Sequence, residues 1–188
     1  MISVVIATQD SERALLPTLA ALVAGAAAGL VREVIVADAG SRDATLAIAE
    51  AAGCRVLAST QTRGPRLNAA AGTARASWLL FLRPGVVLEA SWVDETRRFI
   101  DDAELRKDTY AVFRAGPLRP TVLDALPLLR AALGARPDAS QGLVIARSLY
   151  DALGGHSDVE EPERELFRRL RRRRLFRLRT GAITHYLT

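Results

Sequence analysis

A chain of 188 residues, 49% apolar and 25% charged, has an ordinary globular composition and the length to bury roughly 70% of its unfolded surface. It contains no apolar run near the ~18 residues that cross a bilayer. One cysteine (Cys54) and two histidines leave no intrachain disulfide, too few ligands for a Cys/His zinc site, and a cytoplasmic location as the expectation. The net charge of +5 is local, because nine arginines and two glutamates lie between Glu163 and Arg179 while the remainder carries 17 basic against 19 acidic residues.

The run Ile2–Ala7 has no basic residue before it and reads as a first strand rather than a signal peptide. Leu15, Leu16, Leu19, Leu22 and Val23 follow helical spacing, with Pro17 tolerable only in a first turn. Glu33–Ala37 is the second predicted strand. DATLAIAEAAG predicts a helix closed by Gly53, and Arg55–Ala58 a third strand. RLNAAAGTARA is an alanine-rich helix, and Trp78–Leu82 a wholly apolar strand that stops abruptly at Arg83-Pro84-Gly85. SWVDETRRFI places Ser91 three residues before Asp94, a start resembling a capping box, and Tyr110–Arg114 is the fifth strand. This alternation implies a mostly parallel sheet with helices on both faces. The second half is less regular. It offers a helix around Thr121–Leu133, a strand at Gly142–Ala146, a turn at Gly154-Gly155, a charged helix from Glu160 to Arg173, and two short β-prone runs, Leu175–Leu178 and Ala182–Tyr186. With no internal repeat and no long linker, residues 1–188 read as one domain.

In such a sheet, ligands bind beyond the carboxyl ends of the strands. Those ends are Ala7-Thr8-Gln9-Asp10, Asp38-Ala39-Gly40-Ser41, Ser59-Thr60 and Arg83-Pro84-Gly85. A carboxylate at Asp38 can accept hydrogen bonds from a nucleoside base or ribose. Gly40 lets the backbone turn closely, and Ser41 or Asp43 can cap the next helix. The competing reading is that Asp38 and Asp43 only shape the strand–helix turn.

ISVVIATQDSERALLPTLAAL, EVIVADAGSRDATLAIAEAAGCRVL and RGPRLNAAAGTARASWLLFL together resemble the nucleotide-binding half of family 2 glycosyltransferases. SQGLVIARSLYDALGGH and RELFRRLRRR resemble the acceptor half of a short bacterial branch, the selenodomain-associated or radical-SAM-associated transferases. The resemblance covers nearly the whole chain. It implies a GT-A fold, a three-layer α/β/α sandwich, with a nucleotide-binding half to about residue 115 and an acceptor half over about 116–188. It further implies a nucleotide-diphosphate sugar as donor. Asp38 would contact the base or ribose, as would Ala7, Thr8 and Asp10, and the Arg63–Asn68 segment, Asn68 included, would lie beside the nucleotide.

The sequence departs from the family at several of these places. The proline after the family's first strand is Ala7, and its asparagine-glutamate pair is Asp10-Ser11. After the fourth strand the family has an acidic motif whose aspartate holds Mg²⁺ or Mn²⁺ on the diphosphate. Here that loop is Arg83-Pro84-Gly85-Val86, which offers a metal no evident anchor. Ser140 stands before Gln141-Gly142 where the branch has an aspartate. The family's glutamate-aspartate pair, whose aspartate is the general base for the acceptor hydroxyl, aligns with Pro162 and Glu163.

Glycosyl transfer needs positive charge against the departing diphosphate and a base for the acceptor hydroxyl. Arg83 is the candidate for the first, since a guanidinium pairs with phosphate oxygens in a fixed fork; the alternative is that it merely ends the strand and reaches solvent. Glu163 is the candidate for the second, with Asp158, Glu160 and Glu161 crowding the same turn. Its alternative is a solvated first-turn glutamate favoured by the helix dipole. The arginine block over 168–179 reads as a solvated basic face, against nucleic acid or an anionic membrane surface as partners; only Phe167 and Phe176 are interleaved for base stacking. The expectation is a transferase of weak or no metal dependence acting on an unidentified acceptor. Its alternatives are a catalytically degraded binding or scaffold protein on the same fold, or a nucleotidyltransferase. Against the last stands the absence of a glycine-rich loop after ISVVIA.

Overall fold

The structure, a computed structural model, describes residues 1–104, 108–116 and 137–184. Its first half alternates strand and helix: β1 (Ile2–Thr8), α1 (Glu12–Ala27), β2 (Val31–Asp38), α2 (Thr45–Ala51), β3 (Arg55–Ala58), α3 (Arg63–Gly72), β4 (Trp78–Leu82), a short β5 (Val86–Leu88), α4 (Trp92–Glu104) and β6 (Thr109–Ala115). A 3-10 turn at Ala139–Gln141, β7 (Leu143–Ala146), α5 (Arg147–Ala152), α6 (Pro162–Leu170) and β8 (Arg174–Thr184) follow. The helix expected around Thr121–Leu133 lies outside the described residues.

The strands form one sheet in the order β3-β2-β1-β4-β7-β6-β8-β5. β1 pairs in parallel with β2 and β4, and β2 with β3, giving a parallel block of four strands. β7 is antiparallel to both β4 and β6, while β8 is parallel to β6 and antiparallel to β5, so the sheet as a whole is mixed. The strand order reverses at β1, with β2 on one side and β4 on the other. Such a switch point opens a crevice beyond the strand ends.

Strand alternation divides the apolar core into two layers. Ile2, Val4 and Ile6 of β1 and Trp78, Leu80 and Leu82 of β4 face Leu15, Leu19 and Leu22 of α1 and Trp92, Phe99 and Ile100 of α4. Val5 and Ala7, with Leu79 and Phe81, face Leu67 of α3, Tyr150 of α5 and Leu166, Phe167 and Leu170 of α6. The outcome is an α/β/α sandwich whose α3 and α6 share one face, and this places both of their N-termini near the ends of β2 and β4.

Four local expectations differ from the fold. Pro17 stands in the second turn of α1, not the first, because the helix already starts at Glu12. The neighbouring loop makes that early start possible: Glu12 N–H donates to Asp43 Oδ2 at 3.0 Å, and Ser11 N–H to Thr45 Oγ1 at 2.7 Å. The Ser91 hydroxyl pairs with Thr180 Oγ1 at 2.9 Å rather than completing a capping box. α6 stops at Leu170, where Arg173 N–H turns back to the Leu170 carbonyl at 2.8 Å and the chain enters the sheet. Finally, the two short β-prone runs are, as far as Thr184, one strand, β8, whose pairing with β6 shifts register between Val112 and Arg114, and His185 and Tyr186 lie outside the described residues. Arg179-Thr180-Gly181 interrupts the apolar pattern there without breaking the strand.

Candidate active site

At the end of β2 the Asp38 carboxylate is fully buried and meets four donors. Gly40 N–H (2.8 Å) and Ser41 N–H (2.7 Å) reach Oδ1, and the hydroxyls of Thr8 (2.7 Å) and Ser41 (2.5 Å) reach Oδ2. Burial raises this carboxyl, but the bonds from Ser41, Thr8 and Gly40 outweigh it and hold the group below the ordinary aspartate range. Gly40 supplies the positive φ of 86° that lets two successive amides point at one oxygen. Asp10, itself at φ 44°, fastens the first loop to the second: its Oδ1 accepts Arg42 N–H at 2.7 Å, and its own N–H donates to Ser41 Oγ at 2.9 Å. Thr8 therefore supports Asp38 directly, Asp10 supports Ser41, and the Ala7 side chain is packed in the core.

The Arg83-Pro84-Gly85 turn is held from below by α1. Gly85 N–H, at φ 88°, is shared between the Ala14 carbonyl and Thr18 Oγ1, each at 2.9 Å. The Arg83 side chain reaches from this turn to Glu163 Oε1, with Nε and Nη2 both at 3.3 Å, and stays half exposed. On the other side, Arg63 in the first turn of α3 donates from Nε to the same Oε1 at 2.7 Å. Glu163 is 8% exposed, so it is not a solvated first-turn glutamate. Burial raises its carboxyl, but Arg63 and Arg83 together leave it below the usual range.

Arg66, one turn further along α3, is 6% exposed, and its Nε has no hydrogen-bond partner. Nη1 touches the Gln61 carbonyl at 3.3 Å. Burial and the charge of Arg63 lower its basicity, and Asp38 opposes them, which places Arg66 between those two groups electrostatically. The first turn of α3 thus carries basic side chains and no acidic one, against the preference of a helix N-terminus. That mismatch is visible in RGPRLN and is the signal that singles out Arg63 and Arg66 within the segment.

A rigid turn, 153–158, closes the far wall. Arg169 of α6 donates to the carbonyls of Leu153 and Gly155, the latter at 2.6 Å. Asn68 packs against Gly155, where a Cβ would sit 2.0 Å from its Oδ1. Thr62 bonds to Asp158, and Gly64 lies so close to Ser157 that a Cβ there would come within 1.9 Å of its carbonyl oxygen. Tyr150 hydroxyl accepts the His156 N–H at 3.1 Å and faces His156 Nδ1 at 2.7 Å. Burial raises the Tyr150 pKa and pushes His156 down to about 4, so the imidazole is neutral and shares one hydrogen bond at Nδ1 with the Tyr150 hydroxyl. His156, Glu163, Arg63 and Arg83 line a shared cavity of only about 20 Å³, enough for about one water. Neither His156 nor Tyr150 was singled out by the sequence reading.

Among the described residues, no three His, Cys, Asp or Glu side chains converge in a way that could hold a metal ion. Ser140, standing where an aspartate was expected, is bonded through its N–H and hydroxyl to Asp138, and Gln141 ties that turn to the Phe113 carbonyl at 2.9 Å. Within the arginine block, Arg168 pairs with Glu165, Arg173 with Asp108 and Arg169 with the turn just described, while Arg171 and Arg172 are exposed. No helix among the described residues is long and apolar enough to cross a membrane.

The sequence profile of glycosyl transferase family 2 matches residues 3–105, more than half of the chain. No curated protein matches significantly. Among solved structures, TarS of S. aureus (residues 1–349) superposes with a TM-score of 0.73 at 19% identity, over 97% of this chain and 60% of that one. A mannosyltransferase of Pyrobaculum calidifontis, solved with GDP-Man and Mn²⁺, gives 0.74 at 16% identity, over 97% of this chain and 56% of that one. The glucosyl-3-phosphoglycerate synthase of Mycobacterium tuberculosis, solved with Mn²⁺, UDP and glucosyl-3-phosphoglycerate, gives 0.69 at 19% identity, over the whole of this chain and 73% of that one. At these identities the likeness is one of fold, and the chain spans about 60% of the first of these relatives.

Proposed function

The chain belongs to glycosyl transferase family 2, and from that premise we propose that it transfers a sugar from a nucleotide-diphosphate sugar to an acceptor hydroxyl, with arginines where the family places a metal. The observation that carries this reading is the convergence of Arg63 and Arg83 on a single buried Glu163 at the crevice beyond β2 and β4, with the buried Arg66 beside Arg63. The base or ribose is assigned to the loop built around Asp38, with the backbone from Ala7 through Asp10 as its rim. The diphosphate is assigned to Arg83 and Arg63. Residues 1–115 form the donor half in this reading, and 116–188 the acceptor half.

A divalent ion does not fit the described residues of the site. It would need at least one carboxylate free to fix it on the diphosphate. Both oxygens of Asp38 are engaged by its own loop, Glu163 is gripped by two arginines, and the turn after β4 presents Arg83. Guanidinium groups can instead offset the charge that develops on the leaving diphosphate. In the transfer itself, the acceptor oxygen bonds to the anomeric carbon as the bond from that carbon to the diphosphate oxygen breaks. The hydroxyl proton passes to a carboxylate, and the nucleoside diphosphate leaves.

Calorimetric titration with a panel of nucleoside diphosphates and nucleotide sugars tests this reading. At least one nucleoside diphosphate should bind, and Arg83→Ala should weaken it by about 1.5–3 kcal/mol, the usual loss for a hydrogen bond to a charged group. Unchanged affinity in a folded Arg83→Ala protein would place the diphosphate elsewhere.

A further inference from the structure

We propose that Glu163 is the resident counter-ion of the donor site, and that a bound diphosphate takes its place on Arg63 and Arg83 and releases it. This inference rests on the reading of the site given above.

The first support is the placement of the charge. Glu163 lies in the first turn of α6, yet its partners come from segments 100 and 80 residues away, at the start of α3 and after β4. A helix N-terminus carrying cations prefers an anion beside it. In this chain the anion that reaches Arg63 is a side chain. Both arginine contacts fall on Oε1.

The second support is spare capacity. Arg66 is buried beside Arg63 with an Nε that meets no acceptor. A buried guanidinium left short of acceptors carries a desolvation penalty that an incoming oxyanion would relieve. The third is space. The cavity shared by Arg63, Arg83, His156 and Glu163 measures about 20 Å³, so a phosphate does not fit between the paired groups. One that takes the donors now held by Glu163, Arg63 Nε with Arg83 Nε and Nη2, displaces the carboxylate from them. Arg83, half exposed, can follow the phosphate outward, whereas Glu163 stays buried in the first turn of α6 beside the cavity it shares with His156.

Release changes what the carboxylate can do. The ionisable groups facing it are Arg63 of α3, Arg83 after β4 and the neutral His156. With both arginines drawn to phosphate, the burial of Glu163 is no longer offset and its carboxyl rises towards a value that holds a proton more firmly. The group is therefore a weak base in the empty site and a stronger one in the donor complex, which couples proton acceptance to donor binding.

Inorganic pyrophosphate, which carries the diphosphate without selecting a base, is the probe. In calorimetry without divalent metal, Glu163→Gln should bind it about tenfold or more tightly than the parent, and Glu163→Asp, which withdraws the charge by one methylene, should fall between. At pH 5.5, heats in two buffers of different ionisation enthalpy should show the parent taking up more protons on binding than the Gln variant. Equal or weaker affinity in the Gln variant overturns the counter-ion. Equal proton exchange overturns the release. Binding by neither protein overturns both, and with them the assignment of the diphosphate to these arginines.

Discussion

His156 is a residue whose chemistry departs far from its free form. Its ring stacks edge-on against Phe81 with centroids 4.8 Å apart, and burial pushes its pKa down to about 4. In the unfolded chain the imidazole takes its proton near 6.5, so the unfolded state binds more protons than the folded one between those values. Stability is unaffected above about pH 6.5 and falls as the pH drops from there towards 4, by up to about 3 kcal/mol. His156→Phe keeps the ring and removes the titration. It should cost about 1 kcal/mol at pH 7 for the lost Tyr150 bond, and its denaturation midpoint should stay flatter than the parent's between pH 6.5 and 4. Parallel midpoint curves for the two proteins would contradict the burial of a neutral imidazole.

The same scale shows what could be read ahead of the structure. The turn that Asp38 shapes was legible because its surroundings are local: a strand, then Gly40 and Ser41 within three residues, and its donors are those residues plus Thr8 on the adjacent strand. Glu163 was named as a candidate, but its burial and pairing were not legible, because local physics favours a glutamate solvated in the first turn of a helix. Only the contact with Arg63, 100 residues earlier, makes it buried and paired. Arg83 was recognised as a cation at a strand end, but its partner was invisible for the same reason.

At the scale of elements, α3 is the part on which the site depends most, since Arg63, Arg66 and Asn68 all project from it. Its first turn rests directly on the 153–158 turn through Gly64, where an added Cβ would meet the Ser157 carbonyl oxygen at 1.9 Å and Pro162 Cβ at 3.2 Å. Gly64→Ala should therefore destabilise the protein by about 1–3 kcal/mol through overpacking, and weaken nucleoside diphosphate binding by moving Arg63 away from the crevice. Gly72, at the end of the same helix, has nothing within 4 Å of its would-be Cβ, so Gly72→Ala should be neutral or stabilising by up to about 1 kcal/mol. Urea denaturation of the pair checks this; equal effects at the two positions would mean that α3 does not seat on that turn.

Elements were legible where periodicity was long and local. The strand–helix alternation through β4 was carried by apolar runs bounded by glycine and proline. The short β5 was missed because three residues after a Pro-Gly turn carry too little pattern, and it exists through its antiparallel pairing with β8. β8 read as two pieces because Gly181 interrupts it, yet that glycine serves packing: a Cβ there would come within 2.8 Å of the Glu89 carboxylate, which accepts the Gly181 N–H at 2.7 Å.

Across the whole molecule, the sheet order brings together three chain segments far apart in sequence at one crevice. β1, β2 and β4 end side by side there, α3 follows β3 back over them, and α6 supplies Glu163 from the other half of the chain. In the function proposed above, the positive charge needed by a departing diphosphate would come from side chains the fold already holds in place, not from an ion recruited by carboxylates. The claim is tested most directly by titrating the protein with the best-binding nucleoside diphosphate, once in EDTA and once in millimolar Mn²⁺. The account predicts affinities within about twofold of each other, because among the described residues no cluster of carboxylates could hold the ion. Binding that appears only with Mn²⁺, or tightens with it by tenfold or more, would contradict it and return the chain to metal-dependent transfer.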